Sequence, residues 1–469
     1  MIPPMPDEKF KANQKALAIN LDAHRYGAFA EIGAGQEVAR WFFRAGGASG
    51  TVAKTISAYD MAVSDAIYGP SKRYVSRQRL QAMLDYEFDL VVQRLDKTRG
   101  ERTAFFTFAN TVATRSFANQ AEGHGWLGIR FQPHPRELPS QIIIHVRMLD
   151  SENVREQEAL GIIGVNLIHG AFYLNTGPEK LIGSLMDDLG RQRLEVDMIE
   201  FSGPRFAGLD NRLMALQLVQ QGLTEAAMFT ADGEVVIPRE TFYKKPIFVE
   251  RGSFRPVTKT TLDLLERGLE QFLREPQQKD ESPVVVMEMR LGSVLADAGR
   301  AHKDFLDRVD VIGALGRPVL ISNYLHYYRL VAYLARYTQK MQGIALGLPS
   351  LRAIFDEQYY TDLAGGLLES LGRLFKGDTK IYVYPHRDPA TGQITTAETL
   401  QVAPHLRHLY AHLLENRHIE GIQNASGDYL DIFPPQVLAK IQSGDAAWEN
   451  DVPSAVAEII KRKALFGCK

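Results

Sequence analysis

The sequence predicts an α/β protein built on a largely parallel, open sheet with helices on both faces, preceded by a mainly helical N-terminal region. Three observations predict it. From about residue 190 onward, short β-branched or aromatic runs alternate with longer amphipathic stretches. Polar turns separate the two, which is how parallel strands joined by crossover helices read. The first hundred residues lack this alternation and carry apolar side chains at helical spacing.

In chain order, Gln36–Arg44 and Arg77–Leu95 are the first predicted helices, the second marked along one side by Leu80, Met83, Leu84, Phe88, Val91 and Leu95. Tyr26–Ala30 reads as a poor buried strand, and Ala45–Thr51 as a glycine-rich turn. Thr103–Ala109, Gly125–Phe131 and Gln141–Met148 have strand texture, and Pro133, Pro135 and Pro139 make the last two a wide hairpin. Ala159–Leu174 is apolar but interrupted by Asn166 and His169, so it reads as a buried element rather than a membrane span.

Further strands are expected at Leu194–Phe201, Pro246–Val249, Val284–Met289, Val319–Ser322, Gly343–Leu346 and Lys380–Tyr384. Helices are expected at Asn211–Gln221, Thr261–Arg274, His302–Arg308, Tyr324–Tyr337, Thr361–Phe375 and Val402–Glu415. The alternation does not separate a barrel from an open sheet; the open sheet is the expectation. Glu275–Pro283 is polar, charged and bounded by proline, which suits a linker or, equally, one surface loop between a helix and the next strand. The expected domains are 1–275, helical and then mixed α/β, and 281–469, α/β.

A chain of 469 residues, 45% hydrophobic and 23% charged with mean hydropathy −0.18, buries a sizeable core. A net charge of −2 gives no reason to expect nucleic acid or an anionic membrane as partner. The single cysteine, Cys468, excludes an intrachain disulfide framework and fits a reducing compartment. With an N-terminus that lacks the charged-then-apolar pattern of a leader, a cytoplasmic location without membrane insertion is expected.

Four features could carry chemistry. Glu31-Ile-Gly33-Ala-Gly35 resembles the first loop of Rossmann methyltransferases, but Gln36 and Glu37 stand where further glycine belongs, which favours a turn that starts a helix. Gly46–Thr55 has the ingredients of a phosphate loop, with Gly47, Ser49 and Gly50 as anion contacts. Ala53 occupies the place before Lys54 where the Walker pattern requires glycine. His405, His408 and His412 lie at i, i+3 and i+7, a spacing that can share a metal, although the stripe also borders an apolar face; no metal is the expectation, with this trio the alternative.

The fourth argument is topological. Ligands of open α/β sheets gather beyond the carboxyl ends of the strands. Those ends carry Glu200, Ser202 and Arg205; Arg251, Ser253 and Arg255; Glu288 and Arg290; Asn323 and His326; His386, Arg387 and Asp388. Guanidinium forks suit carboxylate or phosphate. The helix Tyr324–Tyr337 carries five tyrosines and reads as buried, in the core or at a subunit contact.

Several stretches resemble an uncharacterised bacterial protein family of this length: Phe29–Arg40, Ser57–Met61, Gly125–Phe131, Phe254–Thr258, Ile354–Asp362 and Leu406–Tyr410. Members of that family carry two labels, nicotinate-nucleotide adenylyltransferase and TonB-dependent receptor. The second implies an exported barrel, at odds with the strand–helix alternation. The first implies Gly-x-Phe-x-Pro-x-His-x-Gly-His; the nearest stretch, Gly128–Pro135, lacks the Gly-His ending.

The expectation is therefore an enzyme that binds a small phosphorylated or carboxylated metabolite. Glu200, Glu288, His326 and His386 would be acid/base groups. Arg251, Arg255, Arg290, Arg387 and Asn323 would hold the ligand. No motif names a cofactor. The alternative is a self-assembling or partner-binding protein without turnover; in either case a homo-oligomer is expected.

Overall fold

The computed structural model describes residues 10–115, 122–278, 281–295 and 301–468. The first nine residues, from which the absence of a leader was inferred, lie outside that range. The chain is α/β and forms two units, Met1–Thr224 and Glu225–Lys469. Among the described residues no helix is long and apolar enough to cross a membrane.

The first unit is built on a six-stranded sheet, ordered β2-β1-β3-β4-β5-β6. Its strands are β1 (Arg25–Ile32), β2 (Val52–Ile56), β3 (Ala104–Ala113), β4 (His124–Phe131), β5 (Ser140–Met148) and β6 (Leu194–Ser202). The pairings β1 with β2 and β1 with β3 are parallel, and the rest are antiparallel. Alternate residues of β1 face opposite sides. Ala28 meets Phe88, Val91 and Phe105 beneath the long helix Arg77–Arg99. Phe29 packs within 4.9 Å of Phe42 and 5.7 Å of Phe106 on the other face, under the helices Glu37–Ala45 and Asn153–Tyr173. Burying each such ring contributes about 1.5–3 kcal/mol.

The poor strand of the sequence reading is thus a central one. Its small residues have a physical cause: a Cβ on Gly27 would lie 2.1 Å from the Phe106 carbonyl oxygen of β3. The N-terminal region is mainly helical, as expected, but it also supplies two strands to the sheet. The apolar stretch from Ala159 lies in the buried helix Asn153–Tyr173, with Leu174 as its C-cap.

The second unit contains β7 (Ala226–Phe229), β8 (Val235–Val236), β9 (Ile247–Arg251), β10 (Val284–Arg290), β11 (Val319–Ser322), β12 (Gln342–Gly347), β13 (Thr379–Tyr384) and β16 (Ile419–Gly421) in one sheet. A separate ladder joins β14 (His386–Arg387) to β15 (Ile394–Thr395). The large sheet runs β16-β13-β12-β9-β10-β11-β7-β8, parallel from β16 to β11 and antiparallel for the last two. Its six parallel strands follow the doubly wound order in which the chain starts centrally, builds outward, returns and builds the other way. Helices cover both faces. Gly268 of the helix Lys259–Phe272 sits against Phe248 and Ala345. Leu330, Tyr333 and Leu334 of the helix Tyr327–Leu334 pack on Val249, Val286 and Leu320 of the opposite face.

The chain divides at Thr224 and Glu225, not in the stretch Glu275–Pro283. Because β9 pairs with β10 on one side and β12 on the other, residues on both sides of that stretch belong to one sheet. It is a connection from helix to strand; its residues 279 and 280 lie outside the described range.

Candidate functional site

In the second unit the strand order reverses between β9 and β12, since β9 leads to β10 on one side and β12 leads to β13 on the other. Loops leaving the two strands diverge there and open a crevice. A cavity of about 440 Å³ occupies it, lined by the segments that follow β9, β10, β11 and β12. Arg251 and Ser253, Arg290 and Ser293, His326 and Tyr327, and Ser350 come from those four segments in turn. Leu325, Pro349, Ile354, Tyr359 and Tyr360 complete an apolar, ring-rich wall.

Arg251 is fixed in place. Its Nε donates to Glu288 Oε2 at 2.6 Å and its Nη2 to Glu288 Oε1 at 3.0 Å, while Nη1 reaches the Leu325 carbonyl oxygen at 3.2 Å. The guanidinium also lies 4.6 Å from the Tyr327 ring centre. Glu288 is fully buried and also accepts from Ser322 Oγ, so its oxygens do not face the cavity. The ion pair outweighs the cost of burying Arg251, whose affinity for its proton stays above the ordinary value.

Arg290 differs. It is half-buried on the cavity wall, and among the described residues it has no carboxylate partner. His326 precedes the helix Tyr327–Leu334, stacks on Tyr328 with an interplanar angle of 12°, and lies 5.3 Å from the Tyr360 ring. Burial first, and then the Arg329 charge, hold its imidazole below the usual value, with Asp362 opposing. A neutral imidazole beside an uncompensated guanidinium can bind an anion and take up a proton.

Of the sequence-predicted residues, Arg251, Arg290 and His326 line this cavity and Glu288 lies beneath it. The others lie elsewhere. Arg255 pairs with Asp304, whose other oxygen holds Arg308. Asn323 is exposed and bonds Glu225. Arg387 pairs with Asp431, and His386 packs edge-on against Phe433. Glu200 belongs to the first unit and binds Arg77 in a separate polar cleft. The tyrosine helix is in the core: Tyr324, Tyr328, Tyr333 and Tyr337 are buried.

Gly47, Ser49 and Gly50 form an exposed turn in which the Gly50 N–H is taken by the Gly47 oxygen and the following Thr51 N–H by that of Ala48. The chain continues into β2 rather than a helix, so no helix dipole reinforces that turn toward an anion. Lys54 pairs with the buried Glu87. At Gly33–Gly35 the helix start is already occupied, because Glu31 accepts from the amides of Val38 at 3.1 Å and Ala39 at 2.9 Å.

His405 binds Glu357, His408 meets Arg407 and His412 meets Asn416, all three exposed. Among the described residues no group of three or more His, Cys, Asp or Glu side chains could hold a metal. Gly128–Phe131 lies within the antiparallel strand β4 and leads into a turn, not a helix that could receive phosphates.

Sequence reasoning missed the serines at 293 and 350, which lie in short apolar segments, and gave the tyrosines at 359 and 360 no role beyond the stretch Ile354–Asp362 that resembles the family. It also missed a partly buried chain in the first unit, where Asp197 binds His145 Nδ1 and His145 Nε2 lies 3.3 Å from His124 Nδ1. A bulge between His145 and Val146 in the β5–β6 pairing leaves Asp197 outside the ladder register. A weak signal existed, since His124 and His145 are the only histidines within the predicted first-unit strands or next to them.

No family model matches the chain, and no curated protein matches it. Among solved structures, it is similar to the competence/damage inducible protein CihA from Agrobacterium tumefaciens, at 15% identity and a TM-score of 0.26, over 35% of this chain and 97% of that one. It is also similar to a competence-damaged protein (CinA) superfamily protein from Enterobacter cloacae, at 14% identity and a TM-score of 0.26, over 36% of this chain and 98% of that one. Such scores carry no argument about this chain's fold or activity.

Proposed function

We propose that the unit Glu225–Lys469 binds a small anionic metabolite, phosphorylated or carboxylated, and acts on it as an enzyme. Arg290 receives the anion, Arg251 holds the crevice rigid and adds a donor, and His326 transfers a proton. The observation that carries this reading is the Arg290 guanidinium, half-buried in a cavity at the strand-order reversal and without a carboxylate partner among the described residues. A cation partly removed from water without a counter-charge is costly, and an anionic ligand offsets that cost. A cytoplasmic setting and a homo-oligomer belong to the same reading, the first supported by the single cysteine.

Native mass spectrometry of the purified chain and of Arg290→Gln, followed by denaturing release, tests it. A stoichiometric anion released from the parent and absent from the variant supports the enzyme reading. Ligand-free species of one defined copy number in both move the assignment to the alternative, an assembling or partner-binding protein without turnover.

A further inference from the structure

Resting on that reading, we infer that the ligand is a carboxylate monoanion attached to a flat ring, rather than a phosphate ester. Charge comes first. The Arg251 charge is cancelled by Glu288 through two parallel hydrogen bonds, and the His326 imidazole is neutral. Among the described lining residues Arg290 alone remains uncompensated, so together they present one net positive charge. A carboxylate matches it. A phosphate monoester at neutral pH carries about −1.5 to −2 and would leave excess negative charge in a partly desolvated site.

Donors argue the same way. A phosphate group needs several N–H or O–H groups around three oxygens. Ser293 Oγ already donates to the Arg290 carbonyl oxygen at 2.7 Å. The helix after β9 offers no open amide cradle, because Thr258 and Thr261 cap each other's backbone N–H. The segment after β12 has Pro349 in its first turn, which removes one N–H there. Among the described lining residues the Arg290 fork is the charged group without a carboxylate partner, and its parallel N–H groups match a planar carboxylate.

The walls specify the body of the ligand. Tyr327, Tyr359, Tyr360 and the His326 ring, with Pro349 and Ile354, enclose the cavity with flat apolar surfaces. Aromatic faces favour offset or edge contact with another ring, worth about 0.5–1.5 kcal/mol beyond the area buried.

The test is isothermal titration of the full chain and of Arg290→Gln with four probes: benzoate, phenyl phosphate, cyclohexanecarboxylate and inorganic phosphate. The melting temperature of the variant establishes that it folds. Benzoate is expected to bind at least about tenfold more tightly than each of the other three, and to lose that affinity in Arg290→Gln. Preference for phenyl phosphate, still lost in the variant, overturns the carboxylate assignment and leaves the anion site standing. Equal binding of cyclohexanecarboxylate and benzoate overturns the ring. Absence of Arg290-dependent binding by all four at millimolar concentration overturns both the inference and the anion-site reading.

Discussion

Glu288 takes both the Nε and Nη2 hydrogens of Arg251, at 2.6 and 3.0 Å, from a position that no solvent reaches. Buried pairs of this kind add little net stability, but breaking one strands a charge. Glu288→Ala is expected to lower the unfolding free energy of the second unit by about 3–5 kcal/mol. Arg251→Met combined with Glu288→Leu should cost less than Glu288→Ala alone, because no charge is left behind. Urea denaturation of the three variants measures the order.

The His326 imidazole should titrate below 6.5, since burial and then Arg329 disfavour its charged form while Asp362 favours it. Its stabilising contribution is present above the unfolded value and falls away as pH drops below it. NMR titration of the ring proton reads the midpoint directly. Arg329→Gln should move that midpoint up and Asp362→Asn should move it down; a midpoint at or above 6.5 in the parent refutes the assignment.

Burial pushes the Glu31 carboxyl up to about 7, despite the amides of Ala39 and Val38 and the Asn110 side chain that favour its charged form. A raised folded value means stability that is complete below the unfolded value of 4.5 and is lost as pH rises through 7. Thermal melts from pH 4 to 8 should therefore show a declining component that Glu31→Gln removes. Equal pH slopes in parent and variant would refute it.

The two glycines after β1 separate close packing from backbone conformation. A Cβ on Gly33, at φ +103°, would lie 1.9 Å from the Val112 carbonyl oxygen, whereas one on Gly35, at φ +81°, would meet nothing within 4 Å. Gly35→Ala should cost about 1–2 kcal/mol from its backbone conformation alone. Gly33→Ala should cost clearly more, because β3 must shift. Chemical denaturation of the pair decides, and equal losses would exclude the close-packing account.

Much of the second unit was legible because its parallel strands are short apolar runs bounded by turns, as at Val284–Arg290 and Thr379–Tyr384. β1 was not legible. Gly27 is small because β3 approaches closely there, and small residues such as Gly27, Ala28 and Ala30 carry little strand signal. The unit boundary was hidden for a related reason. Thr224 is buried and donates to Glu195 at 2.6 Å, and β7 begins two residues later, so no polar run marks the division. The strand-end argument brought Arg251, Arg290 and His326 together because β9, β10 and β11 are consecutive parallel neighbours on one side of the reversal. It also proposed Glu200 and Arg387, because spatial strand order, unlike strand position, is not written in local sequence.

The large sheet stops at β8, two residues long, and at β16, three residues long. A border that short exposes few unpaired backbone groups to which a neighbouring chain could bond, so it is a poor template for strand addition. Copies of this protein that associate through the second unit must then meet through side chains on its helices and loops. Such contacts can be retuned by single substitutions without disturbing the ladder that holds the crevice.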